Sequence, residues 1–396
     1  MRELRIALLT HSLNPRGGVI HVLELGRALT ALGHRVTIVA PASPGQRPFR
    51  ETPCELVLAP LPASAVGAGL YESVCARIAA MRSTLASRPE LADFDVLHAH
   101  DGIGGNALAD LHECGLIHGY LRTVHHIDRF ADPRVQALEA RSIRAASGVL
   151  CVSEVWQQRL RDEFGIRAAR VTNGVDLARF VPERSSRDQQ LAQRLGLRAH
   201  PVVLTVGGIE ARKNTRALLQ AFISLRRRLP SAQLVIAGGA SLLDHDAETR
   251  RFADEALAAD LPIGIGQPIV PAGVLTDDEM PALYRLADVL AMPSLLEGFG
   301  LAALEARACG TPAVVSERPP FTEHFGAGDV HWCDPQEVES IAQALLRAVA
   351  QRERQRPAVC ARFGWLASAA RHVELYRAFQ EEKGDARDAL PAALAG

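Results

Sequence analysis

The chain has 396 residues, 48% of them apolar and 22% charged, which suits a soluble protein of two or three globular domains. Its formal net charge is −1; residues 1–182 carry 20 basic and 18 acidic side chains, and residues 183–396 carry 24 and 27. Neither half has the positive field of a nucleic-acid binder, and no apolar run approaches the ~18 residues that span a bilayer.

The opening "MRELRIALLTHS" holds an apolar run too short for a signal-peptide core, and it reads as a first strand. Seven scattered cysteines, an odd count with no C-x-x-C pair, argue against a disulfide framework or a zinc site and for a reducing compartment. A cytoplasmic protein is expected.

The strand "LRIALL" leads into the glycine-rich turn "NPRGG", and "VIHVLELGRALTALG" follows with apolar residues at helical spacing. Gly33 stops that helix and "RVTIVA" supplies the next strand. The alternation continues through "ELVLA", a helix near 70–87, "DVLHAH", a helix near 104–114, "YLRTVHH", a helix near 134–146, "GVLCVS" and a helix near 154–164. The polar stretch 183–200 reads as an interdomain connection. A second alternation opens at "PVVLTVGG". It continues with a helix over 215–229, "AQLVIAGG", helices near 247–258 and 279–287, "DVLAMPS", a helix near 301–309, "PAVVS" and a helix near 336–350.

Strands alternating with helices predict parallel sheets covered on both faces, here in two successive α/β units. The expected division is 1–182 plus about 364–384 for the first domain and 183–363 for the second. A disordered tail is expected over 385–396.

The strongest chemical signal is "PSLLEGFGLAALEARACGTPAVVS", residues 293–316. A strand, a glycine turn and a helix start leave the N–H groups of Phe299, Gly300 and Leu301 free to hold a phosphate. Glu297 precedes that point, and Glu305 lies about one turn into the helix. One carboxylate is placed to accept sugar hydroxyls and the other ribose hydroxyls.

In "GGIEARKN", residues 207–214, Lys213 is one of only two lysines beside 42 arginines. A cation at a helix N-terminus is unfavourable unless an anion answers it. A compact ammonium suits a phosphate that gains charge as its bond breaks.

These strings resemble retaining GT-B glycosyltransferases of the family-four, group 1 type, and the resemblance spans most of the chain. It rests on the E-x7-E element at 297–305, "VGGIEARKN", "LVIAGG", "ALYRLADVLAMPS", "RGGVIHVLELGRALTALGHRVTIV", "TVHH" and "NGVDLARFVP".

The resemblance implies two Rossmann-like domains facing an interdomain cleft, with the C-terminal helix crossing back to the first. It implies glycosyl transfer from a nucleotide-diphosphate sugar to an acceptor, with retention of configuration. Lys213, Arg212, Gly17, Gly18 and the loop at Phe299, Gly300 and Leu301 would hold the donor phosphates. Glu305 and Val274 would border the nucleoside. His125 and Glu297, with Lys213, would stand at the reacting centre. Gly208 occupies a position where the family usually has arginine, and Arg212 is the candidate substitute. His126 stands where the family often has glycine or a small polar residue.

No metal and no cofactor beyond the nucleotide sugar are expected. The D-x-D strings at 93–95 and 244–246 read as caps or solvated loops. His98 and His100 read equally as ordinary strand-end residues or as functional ones. The segment 64–88, with Arg77, Arg82 and Arg88, is a candidate face for an acceptor or for peripheral membrane contact. The base, sugar, acceptor and oligomeric state are not specified by the sequence. Two other readings stand beside transfer: a sugar-nucleotide-converting enzyme on the same fold, and a non-catalytic sugar-nucleotide binder.

Overall fold

A computed structural model describes residues 2–65, 67–198, 200–239, 246–351 and 354–388. The first unit runs through Gly174 and is rejoined by the chain from Trp365 onward; the second is Val175–Gly364.

The first unit opens β1 (Arg5–Leu9), α1 (Gly17–Ala31), β2 (Arg35–Ala42), β3 (Glu55–Pro60) and α2 (Leu70–Ala86). It continues β4 (Val96–Ala99), α3 (Gly102–Glu113), β5 (Leu121–Val124), α4 (Pro133–Arg144), β6 (Gly148–Cys151), α5 (Glu154–Phe164) and the short β7 (Ala169–Arg170). The strands are all parallel, in the order β3-β2-β1-β4-β5-β6-β7. Leu9, Val39 and Ala99 from the sheet pack with Met81, Leu85 and Leu108 from the helices in one buried core. The strand order reverses between β1 and β4, and at such a point the loops diverge and leave a crevice at the carboxyl ends of the strands.

The second unit holds α6 (Ser186–Leu195), β8 (Val202–Val206), α7 (Thr215–Arg228), β9 (Gln233–Ala237), α8 (Asp246–Ala258) and β10 (Ile269–Gly273). Then come α9 (Glu279–Leu286), β11 (Val289–Met292), α10 (Leu301–Ala308), β12 (Ala313–Ser316), α11 (Phe321–His324), β13 (His331–Cys333) and α12 (Val338–Ala350). Its parallel sheet has the order β10-β9-β8-β11-β12-β13. The reversal here lies between β8 and β11. Val203, Leu234, Val289 and Val314 pack against Leu218, Phe222, Ile341 and Leu345.

The final helix, α13 (Trp365–Asp388), belongs to the first unit and packs along α1. Ser368 Oγ donates to Thr172 O, and Tyr376 OH meets His98 Nδ1 at 2.8 Å. The expected tail is therefore helical up to Asp388; the rest of it lies outside the described residues.

Two expectations change. The stretch 183–200 contains α6 instead of a plain connection. Leu191 and Leu195, four residues apart, bury on one face. Asp188 on the same helix receives both Arg285 Nη2 (2.7 Å) and Nε (2.9 Å). The division between units falls at Gly174, earlier than 182. Val175 N donates to Phe363 O at 3.0 Å and Arg356 Nη2 to Phe180 O at 2.8 Å, which ties 175–180 to the second unit. None of the seven cysteines is in a disulfide, and no helix among the described residues is long and apolar enough to cross a membrane.

Candidate active site

In the second unit, β8 runs out into Gly207 and Gly208, with φ of +120° and +79°. Both N–H groups donate to Ala237 O at the end of β9, at 2.8 and 3.1 Å. A Cβ at Gly207 would lie 2.8 Å from Lys213 Cε, so the missing side chain lets the lysine fold back over the strand end. Asn214 caps α7 in the left-handed region (φ 58°). Its side-chain amide donates to Pro293 O (3.0 Å) and Pro335 O (2.6 Å). Leu295 N donates to Arg212 O at 2.9 Å. These bonds hold the loop after β8 against the loop after β11, at the point where the strand order reverses.

Glu297 is the centre of that junction. Its Oε1 accepts from Lys213 Nζ at 2.6 Å and from Ser294 Oγ at 2.8 Å. Its Oε2 lies 3.5 Å from Arg212 Nη1, which also donates to Leu296 O at 3.0 Å. Arg212 Nη2 donates to Glu210 Oε2 at 3.2 Å. Burial by itself would raise the Glu297 carboxyl. The charges of Lys213 and Arg212, with the bonds from Lys213 and Ser294, outweigh it and bring the pKa down to about 2.

The loop then reaches Gly300, the left-handed N-cap of α10 (φ 89°). A Cβ there would meet the Phe321 ring at 2.6 Å. Phe299 is buried against His324 and Phe363, with ring centroids 4.1 and 5.6 Å away. Ala303 N is the helix's first inward donor, to Gly300 O at 3.0 Å. The amides of Phe299, Gly300 and Leu301 therefore precede the helical ladder and have no partner within it.

Glu305 accepts from Tyr284 OH at 2.7 Å through Oε2. Tyr284 is buried; burial first, and then the Glu305 charge, push its hydroxyl pKa well above the usual phenol value, so it stays a donor. Val274 is exposed just beyond β10, and its Cγ2 fills the space over Gly239, where a Cβ would meet it at 2.6 Å. Lys213, Arg212, Val274, Glu297, Phe299, Gly300 and Leu301 thus lie in the segments that follow the carboxyl ends of β8, β10 and β11, with Glu305 one turn into α10 and Gly239 beyond β9 under Val274.

The remaining expected residues belong to the first unit. Gly17 and Gly18 form the first turn of α1 and not a preceding loop. An ideal Cβ on Gly18 would lie 3.7 Å from His125 Cδ2, which places the glycine against the histidine. His125 follows β5, with its ring centroid 4.6 Å from His21 and 5.6 Å from His100. His21 Nδ1 is 2.8 Å from Asn173 Oδ1. His98 is held between Tyr376 OH and Thr123 Oγ1, both at 2.8 Å, and so anchors α13. Burial lowers the pKa of His21 to about 3 and holds His98, His100 and His125 well below the usual imidazole value, neighbouring imidazoles adding to the effect.

Of the D-x-D strings, Asp93 pairs with Arg5 at 2.9 Å, and Asp95 accepts from Arg5 N at 2.8 Å and Arg2 at 2.9 Å. They tether the start of β1. Asp244 and His245 of the second string lie outside the described residues. In the 64–88 segment, Arg77 binds Ser73 Oγ (2.6 Å) and Arg88 binds Glu55 (2.9 Å), while Arg82 lies 3.7 Å from Asp110. Sequence reading missed Ser294, Tyr284 and Asn214. It also missed His21, whose only signal was a lone imidazole within an otherwise apolar helical face.

The family model described as Glycosyl transferases group 1 matches residues 188–361, and that described as Glycosyltransferase Family 4 matches residues 15–179. A "GDP-mannose-dependent alpha-(1-6)-phosphatidylinositol dimannoside mannosyltransferase" of Mycobacterium tuberculosis (strain ATCC 25177 / H37Ra) is 30% identical over 389 residues, 93% of this chain and 94% of that protein. A "D-inositol 3-phosphate glycosyltransferase" of Salinispora arenicola (strain CNS-205) is 43% identical over 154 residues, 37% of this chain and 33% of that one. Among solved structures, sucrose-phosphate synthase from Thermosynechococcus elongatus superposes with a TM-score of 0.73 at 23% identity, covering 95% of this chain and 98% of that chain.

Proposed function

The chain belongs to the family-four, group 1 glycosyltransferases, enzymes of GT-B fold that use nucleotide sugars, and we propose that it transfers its sugar with retention of configuration and without a bound metal. The observation that carries this reading is the junction of Lys213, Arg212 and Glu297 beside the open amides at the start of α10. Lys213 and Arg212 supply two cations, and the turn into α10 supplies three backbone N–H groups, the donors a diphosphate takes. A donor's diphosphate competes with Glu297 for Lys213 and Arg212, and the freed carboxylate is then available to the sugar's hydroxyls.

Negative charge develops on the leaving phosphate as the glycosidic bond breaks. Lys213, Arg212 and the α10 amides stabilise it without any reorganisation at that moment. The acceptor hydroxyl approaches from the face the phosphate leaves and passes its proton to that phosphate. In the first unit, His125 stands beside Gly18. Glu305, oriented by Tyr284, accepts the ribose hydroxyls, with Val274 against the base.

The relatives' names make GDP-mannose the first donor to test and inositol-containing phosphates or mannosides the first acceptors. Incubation with a panel of donors and acceptors, in the presence of a chelator, tests the proposal. Nucleoside diphosphate should form together with a glycosylated product that keeps the donor's anomeric configuration. Interconversion of the donor with no acceptor present would identify a sugar-nucleotide-converting enzyme instead. Binding with no turnover for any pair would identify a non-catalytic relative.

A further inference from the structure

The string "NGVDLARFVP", residues 173–182, contains the point where the first unit gives way to the second. Residues 176–180 form a tightly held turn. Asp176 Oδ1 accepts from Ala178 N at 3.0 Å and from Arg179 N at 3.2 Å, and Asp176 O accepts from Phe180 N at 2.8 Å. Arg356 Nη2 donates to the carbonyls of Leu177 and Phe180, at 3.3 and 2.8 Å. The side chains of Arg179 and Phe180 are therefore carried on a fixed stretch of backbone within the second unit.

Those two side chains reach different places. Arg179 Nη2 donates to both Asp277 O and Asp277 Oδ1, which pins the segment between β10 and α9 just beyond Val274. The same segment is held at its far end, where Glu279 Oε2 accepts from Thr276 N at 3.0 Å. Phe180 is buried and meets the Tyr284 ring edge-on, with centroids 5.9 Å apart. Tyr284 OH in turn donates to Glu305 Oε2 at 2.7 Å. The Arg179 guanidinium lies over the Phe180 ring, 4.6 Å from its centroid, so each side chain steadies the other.

We propose that Arg179 and Phe180 are positioning residues for the donor's nucleoside, Arg179 setting Val274 on the base side and Phe180 setting Glu305, through Tyr284, on the ribose side; this rests on the nucleoside placement proposed above. Both act through other side chains. The Arg179–Asp277 pair is 18% and 20% exposed, so solvent screens it less than the nearby Arg187–Asp278 pair, at 56% and 66%. Walls held in place ahead of binding lower the ordering cost of taking up the nucleoside. The diphosphate, assigned to Lys213, Arg212 and the turn into α10, has no part in that saving, so the two halves of the donor respond differently when the walls are loosened.

The test is calorimetric titration of the full chain with the tightest-binding of GDP, UDP and ADP, and separately with inorganic pyrophosphate. Arg179→Ala should weaken the nucleoside diphosphate about tenfold and leave pyrophosphate unchanged. Arg179→Lys, whose ammonium keeps the charge and a donor for Asp277, should restore part of the loss. Phe180→Leu, which stays apolar but takes the ring away from Tyr284, should also weaken the nucleoside diphosphate alone. Arg187→Ala breaks only the exposed pair and should change neither affinity. In turnover, Arg179→Ala should raise the donor KM and leave kcat nearly unchanged. Circular dichroism identifies any variant that fails to fold, and Asp277→Asn, which keeps the acceptor oxygen and removes its charge, probes the same contact from the other side. Equal losses for both ligands, or an unchanged nucleoside diphosphate affinity in folded Arg179→Ala and Phe180→Leu, would overturn the proposal and leave nucleotide binding itself standing. Wild-type protein that binds pyrophosphate and none of the three nucleoside diphosphates would overturn the nucleoside placement, and the proposal with it.

Discussion

Lys213 Nζ lies 2.6 Å from Glu297 Oε1, and the two residues come from different strand ends, 84 positions apart. The contact exists because Gly207 has no side chain to keep the lysine away and because Asn214 ties its loop to the carbonyls of Pro293 and Pro335. A diphosphate bound as proposed would have to displace Glu297 from a lysine that the fold already holds in place.

The first prediction concerns Glu297 and pH. Its folded-state pKa of about 2 lies below the ordinary 4.5. The stabilisation it brings is therefore fully present above about pH 4.5 and disappears as pH falls toward 2. Glu297→Gln should cost up to about 3 kcal/mol near neutrality, and the difference from wild type should shrink below pH 4.5. Denaturant melts of both proteins at pH 7 and pH 3 measure it. A gap that does not narrow in acid would mean that the charge is not what stabilises the junction.

The second concerns the glycine pair. Gly207→Ala places a Cβ against Lys213 Cε at a φ of +120°. It should reduce nucleoside diphosphate affinity as well as stability. Gly208→Arg, which restores the residue usual in the family, meets a backbone at φ +79°. It should cost about 1–2 kcal/mol of stability. Calorimetric titration combined with thermal melting separates the two effects.

Much of this architecture is legible in the amino-acid order. Runs such as "VVLTV" and "VLAM" announce buried strands because both faces of a parallel sheet are covered. The elements that escaped depend on distant partners. Helix α6 is mostly polar, and its stability comes from Leu191, Leu195 and an ion pair with Arg285, 97 residues away. Strand β10, "IVPAG", contains a proline that argues against a strand, yet it occupies the edge of the sheet, where a missing N–H is tolerated. The same holds at the site. Lys213 and Glu297 are each visible as candidates, but that they form an ion pair follows only from the adjacency of β8 and β11.

A third prediction isolates the nucleoside side. Tyr284→Phe removes the hydroxyl that orients Glu305. It should weaken nucleoside diphosphate binding by about 0.5–1.5 kcal/mol while leaving inorganic pyrophosphate binding unchanged. Equal losses for both ligands would move Glu305 away from the ribose.

A fourth concerns the returning helix. Tyr376→Phe leaves His98 Nδ1 buried without its partner. A loss of about 1–3 kcal/mol in stability is expected, with donor affinity in the second unit unchanged. Hydrogen exchange of the α13 amides reports it directly.

The most direct test of the central claim is calorimetric titration of the preferred nucleoside diphosphate, with chelator present, into wild-type protein and Lys213→Ala. Wild type should bind whether or not chelator is present, and the variant should bind with an affinity lower by about 1.5–3 kcal/mol, with circular dichroism unchanged. Equal affinities in the two proteins, or binding that appears only when a divalent metal is added, would contradict it.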